Sequence, residues 1–338
     1  MILVTGGTGL LGSHLLLDLL RSGKKVRATR RAGSNIAQVR KIFSYYIPEA
    51  DELADRIEWA EADLLEPGDL EKALDGVTEI YHAGALVSFH PADHRRMLKT
   101  NIEGTANLVN LAIAGGVSKF CYVSSVATLG RAENRKISDE ETYWAPSRKN
   151  SVYSVSKYGG EREVWRSMEE GLNAVIVNPS VILGPGFWKD NSGLFRLVHG
   201  GLRYYTNGVN GYTDVRDVSR ALMGLMDGGH FGQHFICSAG NLSYRELFSM
   251  MAKHLGKPVP SIGVSPFMAA VAWRTEMLRA FLAGSRPVIT REMATTASQV
   301  YKYSSSKLIS TLGFTFRPLE VSIREICNRF LDDLAREG

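Results

Sequence analysis

Glycines at positions 6, 9 and 12, set in the run Thr5-Gly6-Gly7-Thr8-Gly9-Leu10-Leu11-Gly12 directly after the apolar stretch Met1 to Thr5, constrain this chain more than any other feature. An apolar run, a glycine-rich turn and the helical pattern Leu10 to Arg21 together read as strand, tight turn and helix. Glycine is needed there for physical reasons. The turn is sharp, the backbone must approach a pyrophosphate closely, and the helix must pack against the strand, while its first N–H groups favour negative charge. The pattern predicts a dinucleotide site built from Gly6, Thr8, Gly9, Leu10, Leu11 and Gly12.

Alternation continues beyond the turn, with strands expected at Lys25 to Thr29, Glu79 to His82, Lys119 to Ser124 and Ala174 to Asn178, and helices at Asn101 to Ala114 and Val152 to Met168. The expected class is α/β, a Rossmann-type doubly wound parallel sheet with a smaller, mostly helical C-terminal substrate lobe. Residues 1–178 are assigned to the dinucleotide-binding domain and 179–338 to the lobe. About 213–238 should return to the main sheet, through a helix at Asp217 to Met226 and a strand at Gln233 to Cys237. Helical spacing recurs at Tyr244 to Leu255 and at Pro266 to Leu282, the latter read as lobe core through Trp273, Met277, Leu278 and Phe281.

Composition excludes several classes. With 44% hydrophobic and 22% charged residues, the chain has the balance of a globular enzyme rather than a disordered one. The net charge of +5 is spread rather than clustered, so no nucleic-acid partner is expected. The three cysteines show no CxxC spacing, and the N-terminus has no secretory pattern, so a reducing, cytoplasmic setting is expected. Arg274, Glu276 and Arg279 interrupt the stretch Val264 to Gly284, which argues against a membrane span. His14 and His82 lack companions at ligand spacing, so no metal is expected. Of Asp214 and Asp217, the second is read as a helix-start residue.

At the end of the second strand, where an NAD site usually carries an acidic residue, the chain has Arg30 and Arg31. A guanidinium cannot accept from ribose hydroxyls but can pair bidentately with a 2′-phosphate, so NADP(H) is expected over NAD(H). Asp63 is placed to accept from the adenine amino group. Tyr153 and Lys157, four apart, share one helix face, and an ammonium beside a phenol is expected to lower its pKa toward a useful range. Phe120 to Ser125 reads as a strand ending in two hydroxyls, from which a serine can bond a developing alkoxide.

Taken with Asp63-Leu64, His82-Ala83-Gly84-Ala85, Asn101 to Thr105, Ser124-Ser125, Asn178-Pro179, Gly184-Pro185 and Val215-Arg216-Asp217-Val218, these motifs resemble the extended short-chain dehydrogenase/reductase family. This is the NAD-dependent epimerase/dehydratase superfamily, and the similarity falls within its dihydroflavonol-reductase-like and 3β-hydroxysteroid-dehydrogenase-like branch. It spans nearly the whole chain. The resemblance implies Ser125 as donor to the substrate oxygen, Tyr153 as proton donor or acceptor, and Lys157 as a further contact to the nicotinamide ribose. It also implies Arg31 at the 2′-phosphate, Leu64, His82, Ala83, Gly84 and Asn101 along the cofactor, and Pro179 and Val181 at its nicotinamide end. Ser88, Phe89, Tyr143 and Phe187 are the substrate candidates, and the family often dimerises through the helices carrying Asn101 and Tyr153.

The expected activity is NADP(H)-dependent reduction of a ketone or aldehyde, or oxidation of a secondary alcohol, on a small molecule. Val126-Ala127 replaces the acidic pair of sugar-nucleotide dehydratases, and Asn178 stands where many epimerases have Arg. Two alternatives stay open: a nucleotide-sugar epimerase with retained NAD, and a non-catalytic NADP-binding sensor.

Overall fold

The computed structural model describes residues 1–88, 90–130, 137–147, 150–188, 193–283, 290 and 295–337. Its first half runs β1 (Ile2–Thr5), α1 (Leu10–Arg21), β2 (Val26–Arg30), α2 (Ile36–Ser44), α3 (Ala50–Asp55), β3 (Glu58–Glu61), α4 (Pro67–Ala73), β4 (Glu79–His82), α5 (His94–Ala114), β5 (Lys119–Val123), α6 (Val152–Glu169) and β6 (Ala174–Pro179). The second half adds β7 (Val181–Leu183), α7 (Gly193–His199), β8 (Tyr204–Tyr205), β9 (Val209–Asp214), α8 (Val215–Asp227), β10 (Gln233–Cys237), β11 (Gly240–Ser243) and α9 (Tyr244–His254). It ends with β12 (Ile262–Gly263), α10 (Pro266–Leu282), α11 (Ser306–Leu312) and α12 (Leu319–Glu337).

Seven strands form one sheet in the order β10-β6-β5-β4-β1-β2-β3, every pair parallel. Such a sheet is covered on both faces, and its strands are continuously apolar for that reason: Leu3, Val4, Phe120, Val175 and Ile176 are fully buried. Leu15, Leu19, Val218 and Leu222 from α1 and α8 cover one face. Leu70, Leu108, Val109 and Val164 from α4, α5 and α6 cover the other. β1 lies between β2 and β4, so the winding direction reverses there and opens a crevice at the strands' carboxyl ends.

In the second half, β9 pairs parallel with β7 and antiparallel with β11, and β8 pairs with β12. Trp188, Phe195, Leu247, Met251, Ile323 and Phe330 form a separate core among α7, α9 and α12. α5 begins at His94, about two turns ahead of the expected start at Asn101. A larger difference concerns α10, expected as core: Phe267, Leu278 and Leu282 are 77%, 59% and 76% exposed. Trp273 is half-buried and Ala280 is buried, while Phe267, Met277, Leu278 and Leu282 stand in water. The side chain of Phe281 lies outside the described residues. No helix among the described residues is long and apolar enough to cross a membrane, and all three cysteines are buried and unpaired.

The cap of α8 is Asp214 rather than Asp217: Asp214 Oδ1 accepts from the Arg216 N–H at 2.9 Å. Asp217 is buried one turn later, where it accepts from Arg220 Nη2 and from the Arg317 N–H, each at 2.8 Å. Burial alone would raise the Asp214 carboxyl, but the hydrogen bonds and charge of Arg216 hold it below the usual carboxylate range. A depressed folded-state value stabilises the fold above the unfolded pKa, near ~3.9, and that contribution disappears as pH falls through the folded value. Asp214→Asn is therefore expected to lower the urea midpoint at neutral pH. The gap from the parent should close as pH falls below about 4; an equal gap at both pH values would contradict this account.

Candidate active site

β1 delivers the chain to the crevice at Thr5, and the turn that follows leaves no room for side chains. Gly6 has φ +70°, and a Cβ there would sit 2.8 Å from Gly84 Cα, so the backbones after β1 and β4 touch. A Cβ on Gly12 would lie 2.1 Å from the Gly6 carbonyl oxygen, which is how α1 packs so close to the turn. Gly9 caps α1 and no side chain caps the helix, leaving first-turn N–H groups facing the crevice with the positive end of the helix dipole. Backbone cradle and uncapped helix together fit a pyrophosphate.

At the end of β2 the two arginines differ. Arg30 pairs with Glu61 at 3.2 Å. Arg31 is exposed, and its guanidinium has no hydrogen-bond or ion-pair partner among the described residues. Asp63 accepts the Leu65 N–H at 3.0 Å, while Leu64 packs on α5 so tightly that a Cβ on Gly104 would come within 2.7 Å of it.

A chain of hydrogen bonds crosses from the glycine turn toward Tyr153. The Gly84 N–H donates to Thr5 Oγ1 at 3.1 Å, and Thr5 Oγ1 lies 2.6 Å from His82 Nδ1. His82 Nε2 lies 3.1 Å from Thr105 Oγ1, which donates to the Asn101 carbonyl at 2.7 Å. One tautomer satisfies every link: Thr5 donates to Nδ1 and Nε2–H donates to Thr105. Burial, and after it the charge of Lys157, pushes His82 down to about 3, so it remains neutral. The Asn101 amide bonds both the N–H and carbonyl of Leu86, and its Nδ2 reaches Ser156 Oγ at 2.9 Å. Ser156 Oγ in turn donates to the Tyr153 carbonyl at 2.8 Å. The side chains of His82 and Asn101 thus spend their polar groups tying the crevice walls together, and Ala83 and Gly84 are half-buried beside them. Across the crevice, Pro179 is buried at the end of β6 and half-buried Val181 begins β7.

Ser151 caps α6 by accepting the Ser154 N–H at 3.0 Å, which sets Tyr153 in the first turn of the helix. Ser125, just beyond β5, accepts the Ala127 N–H at 3.1 Å and hydrogen-bonds the Tyr153 phenol. Lys157 is 2% exposed; its ammonium donates to the Val123 carbonyl at 2.7 Å and sits 4.4 Å over the Tyr122 ring. Burial lowers Lys157 to about 7, opposed by the carboxylate of Glu161. The expectation that Lys157 lowers the Tyr153 pKa needs correction: burial raises it above its usual value, and the offsetting influence is the Ser125 hydrogen bond. The phenol is therefore protonated at neutral pH, a state suited to donating a proton.

Glu161 was missed by sequence reasoning, although it lies four residues beyond Lys157 and so on the same helix face. Among the substrate candidates, Ser88 donates to Asp93 Oδ2 at 2.7 Å, Tyr143 is 82% exposed, Phe187 is half-buried and Phe89 lies outside the described residues. Trp144, beside Tyr143, stacks on Tyr158 of α6 with 4.5 Å between ring centroids.

The NAD dependent epimerase/dehydratase family matches residues 2–232. Sterol demethylase protein B of Methylococcus capsulatus (strain ATCC 33009 / NCIMB 11132 / Bath) is 29% identical over 267 residues, 78% of this chain and 77% of that protein. Dihydroflavonol 4-reductase of Arabidopsis thaliana is 30% identical over 194 residues, 54% of this chain and 50% of the reductase. The crystal structure of gox2253 superposes with a TM-score of 0.81 at 28% identity, covering 98% of both chains.

Proposed function

Because this chain belongs to the NAD dependent epimerase/dehydratase family and is an NAD(P)-dependent enzyme of the extended short-chain dehydrogenase/reductase type, we propose that it is an NADP(H)-dependent reductase of ketones or aldehydes. One observation carries the reading. Ser125 and Tyr153 share a hydrogen bond at the carboxyl edge of the sheet, and the phenol that faces an incoming carbonyl is protonated. Such a pair can hold a carbonyl oxygen, Ser125 by a hydrogen bond and Tyr153 by the proton it gives up as charge develops.

NADPH, when bound, would supply the hydride for the carbonyl carbon. Tyr153 transfers its phenolic proton to the oxygen, so carbonyl, hydride and proton become a secondary or primary alcohol; in the reverse direction the phenolate takes the proton back. Lys157, its ammonium held by the Val123 carbonyl, lies one turn beyond Tyr153 on the same face of α6 and would contact the nicotinamide ribose. Gly6, Thr8, Gly9, Leu10, Leu11 and Gly12 would cradle the pyrophosphate, with Asp63 and Leu64 at the adenine and Pro179 and Val181 at the nicotinamide. The guanidinium of Arg31, without a partner among the described residues, supports a 2′-phosphate, and Arg30, already paired with Glu61, is the weaker contributor.

Fluorescence titration with NADPH and NADH tests the cofactor. NADPH is expected to bind at least about tenfold tighter, ~1.4 kcal/mol, and Arg31→Ala to erase the difference. Equal or tighter binding of NADH would overturn the NADP assignment and favour an NAD-retaining epimerase. Steady oxidation of free NADPH by a panel of ketones and aldehydes then tests the reaction.

A further inference from the structure

A carboxylate can be buried without heavy cost only where donors surround it. Glu161 is 5% exposed, and its Oε2 accepts from Ser124 Oγ at 2.5 Å, Thr128 Oγ1 at 2.7 Å and Asn178 Nδ2 at 3.0 Å. Those donors stand on separate stretches of backbone: just beyond β5, in the short helical turn that follows, and at the end of β6. Two of them also reach the Ser125 carbonyl, Thr128 Oγ1 at 2.9 Å and Asn178 Nδ2 at 3.2 Å. Turning the Asn178 amide over would set its oxygen against the Glu161 carboxylate and the Ser125 carbonyl. The N–H₂ must therefore face them, and Asn178 Oδ1 is left buried without a partner among the described residues, an unmet acceptor that shows which contacts the amide is held for.

One turn earlier on α6, Lys157 brings a cation into the same interior. The groups around its ammonium are the Val123 carbonyl and Tyr122 ring from β5, neutral His82 from β4, and Glu161 from its own helix. Among the described residues Glu161 is the carboxylate whose charge acts on Lys157.

We propose that Glu161 is a positioning residue for the reductase site, whose carboxylate clamps the Ser124-Ser125 turn against α6 and supplies the negative charge that balances Lys157. The inference rests on Ser125, Tyr153 and Lys157 acting as proposed above. Glu161→Gln separates the two roles, because a carbonyl oxygen in place of Oε2 can still accept from Ser124, Thr128 and Asn178 while the charge is gone. Glu161→Ala removes both.

The charge role is read without turnover, by titrating the ¹⁵N resonance of Lys157 Nζ, assigned through its loss in Lys157→Met. In Glu161→Gln the midpoint is expected to fall by at least about one pH unit, a tenfold change in the ionisation constant; an unmoved midpoint overturns the charge role. The clamp is read from kcat at saturating carbonyl, at a pH where Lys157 is charged in every variant and with circular dichroism confirming the fold. Glu161→Ala is expected to lose at least about tenfold in kcat that Glu161→Gln largely restores, since a misplaced donor weakens transition-state stabilisation; equal kcat in the two variants overturns the clamp. If the parent reduces no carbonyl at all, the reductase reading fails, while the Lys157 midpoint still decides whether Glu161 balances its charge.

Discussion

Tyr153→Phe is expected to lower kcat for carbonyl reduction by about 10²–10⁴-fold while leaving NADPH affinity within about threefold of the parent, the range found when a positioned proton donor is removed. The substitution deletes one oxygen at the start of α6 and leaves the ring. The Ser151 cap and the Ser156 bond to the Tyr153 carbonyl use main-chain and serine groups and survive the change. Ser125 keeps its acceptor bond from Ala127, so the serine stays in place to bind the carbonyl oxygen. A loss confined to kcat, with KM little changed, marks an interaction made only in the transition state. Stopped-flow loss of NADPH absorbance with saturating carbonyl measures the chemical step directly. A variant within about fivefold of the parent would remove Tyr153 from the role of proton donor and return attention to Ser125 or to solvent.

Features legible in the sequence are those whose constraint is local. The glycine turn declares itself because Gly12 answers to Gly6 and Gly7 of the same short run, and Tyr153 with Lys157 because helix geometry alone puts them on one face. β7, β9 and β11 were not legible. β7 is only three residues long, β9 and β11 mix polar and apolar positions, and all three acquire their strand character from pairing partners, Val181 from Tyr212 and Asn241 from Gly211. α10 shows the limit of periodicity in another way. Its pattern reads as helix correctly, but the same spacing serves a face turned to the core or to water, and here Phe267, Leu278 and Leu282 face water. Glu161 was invisible for the opposite reason, since a lone carboxylate on an amphipathic helix reads as solvated. What buries it is the convergence of Ser124, Thr128 and Asn178, which only the sheet brings together. The pKa of Tyr153 belongs to the same class, because spacing names Lys157 as a neighbour but does not show that its ammonium is directed at the Val123 carbonyl.

Gly12→Ala is expected to abolish measurable NADPH binding and to destabilise the fold by about 1–3 kcal/mol, the range for forcing atoms into packed space. Propensity argues the other way, since Gly to Ala inside a helix ordinarily gains roughly 0.8–1 kcal/mol, and Gly12 lies within α1. Geometry decides between them. The added Cβ would stand 2.1 Å from the Gly6 carbonyl oxygen and 2.9 Å from Gly7 Cα; both obstacles are backbone, so no rotamer change relieves them. Relief requires the turn to move, and the turn has nowhere to go, because Gly6 already abuts Gly84 and Gly7 faces Ala28 and Leu16. The first-turn N–H groups of α1 then lose their aim, and with it the anion site. Gly68→Ala in α4 is the control, since a Cβ there meets nothing within 4 Å and the propensity gain should appear alone. Run side by side, the two variants should shift the thermal midpoint in opposite directions, and only Gly12→Ala should lose NADPH binding. If Gly12→Ala instead raised the midpoint as Gly68→Ala does and still bound NADPH, the close approach of α1 to the Gly6 turn would not be what builds the phosphate site.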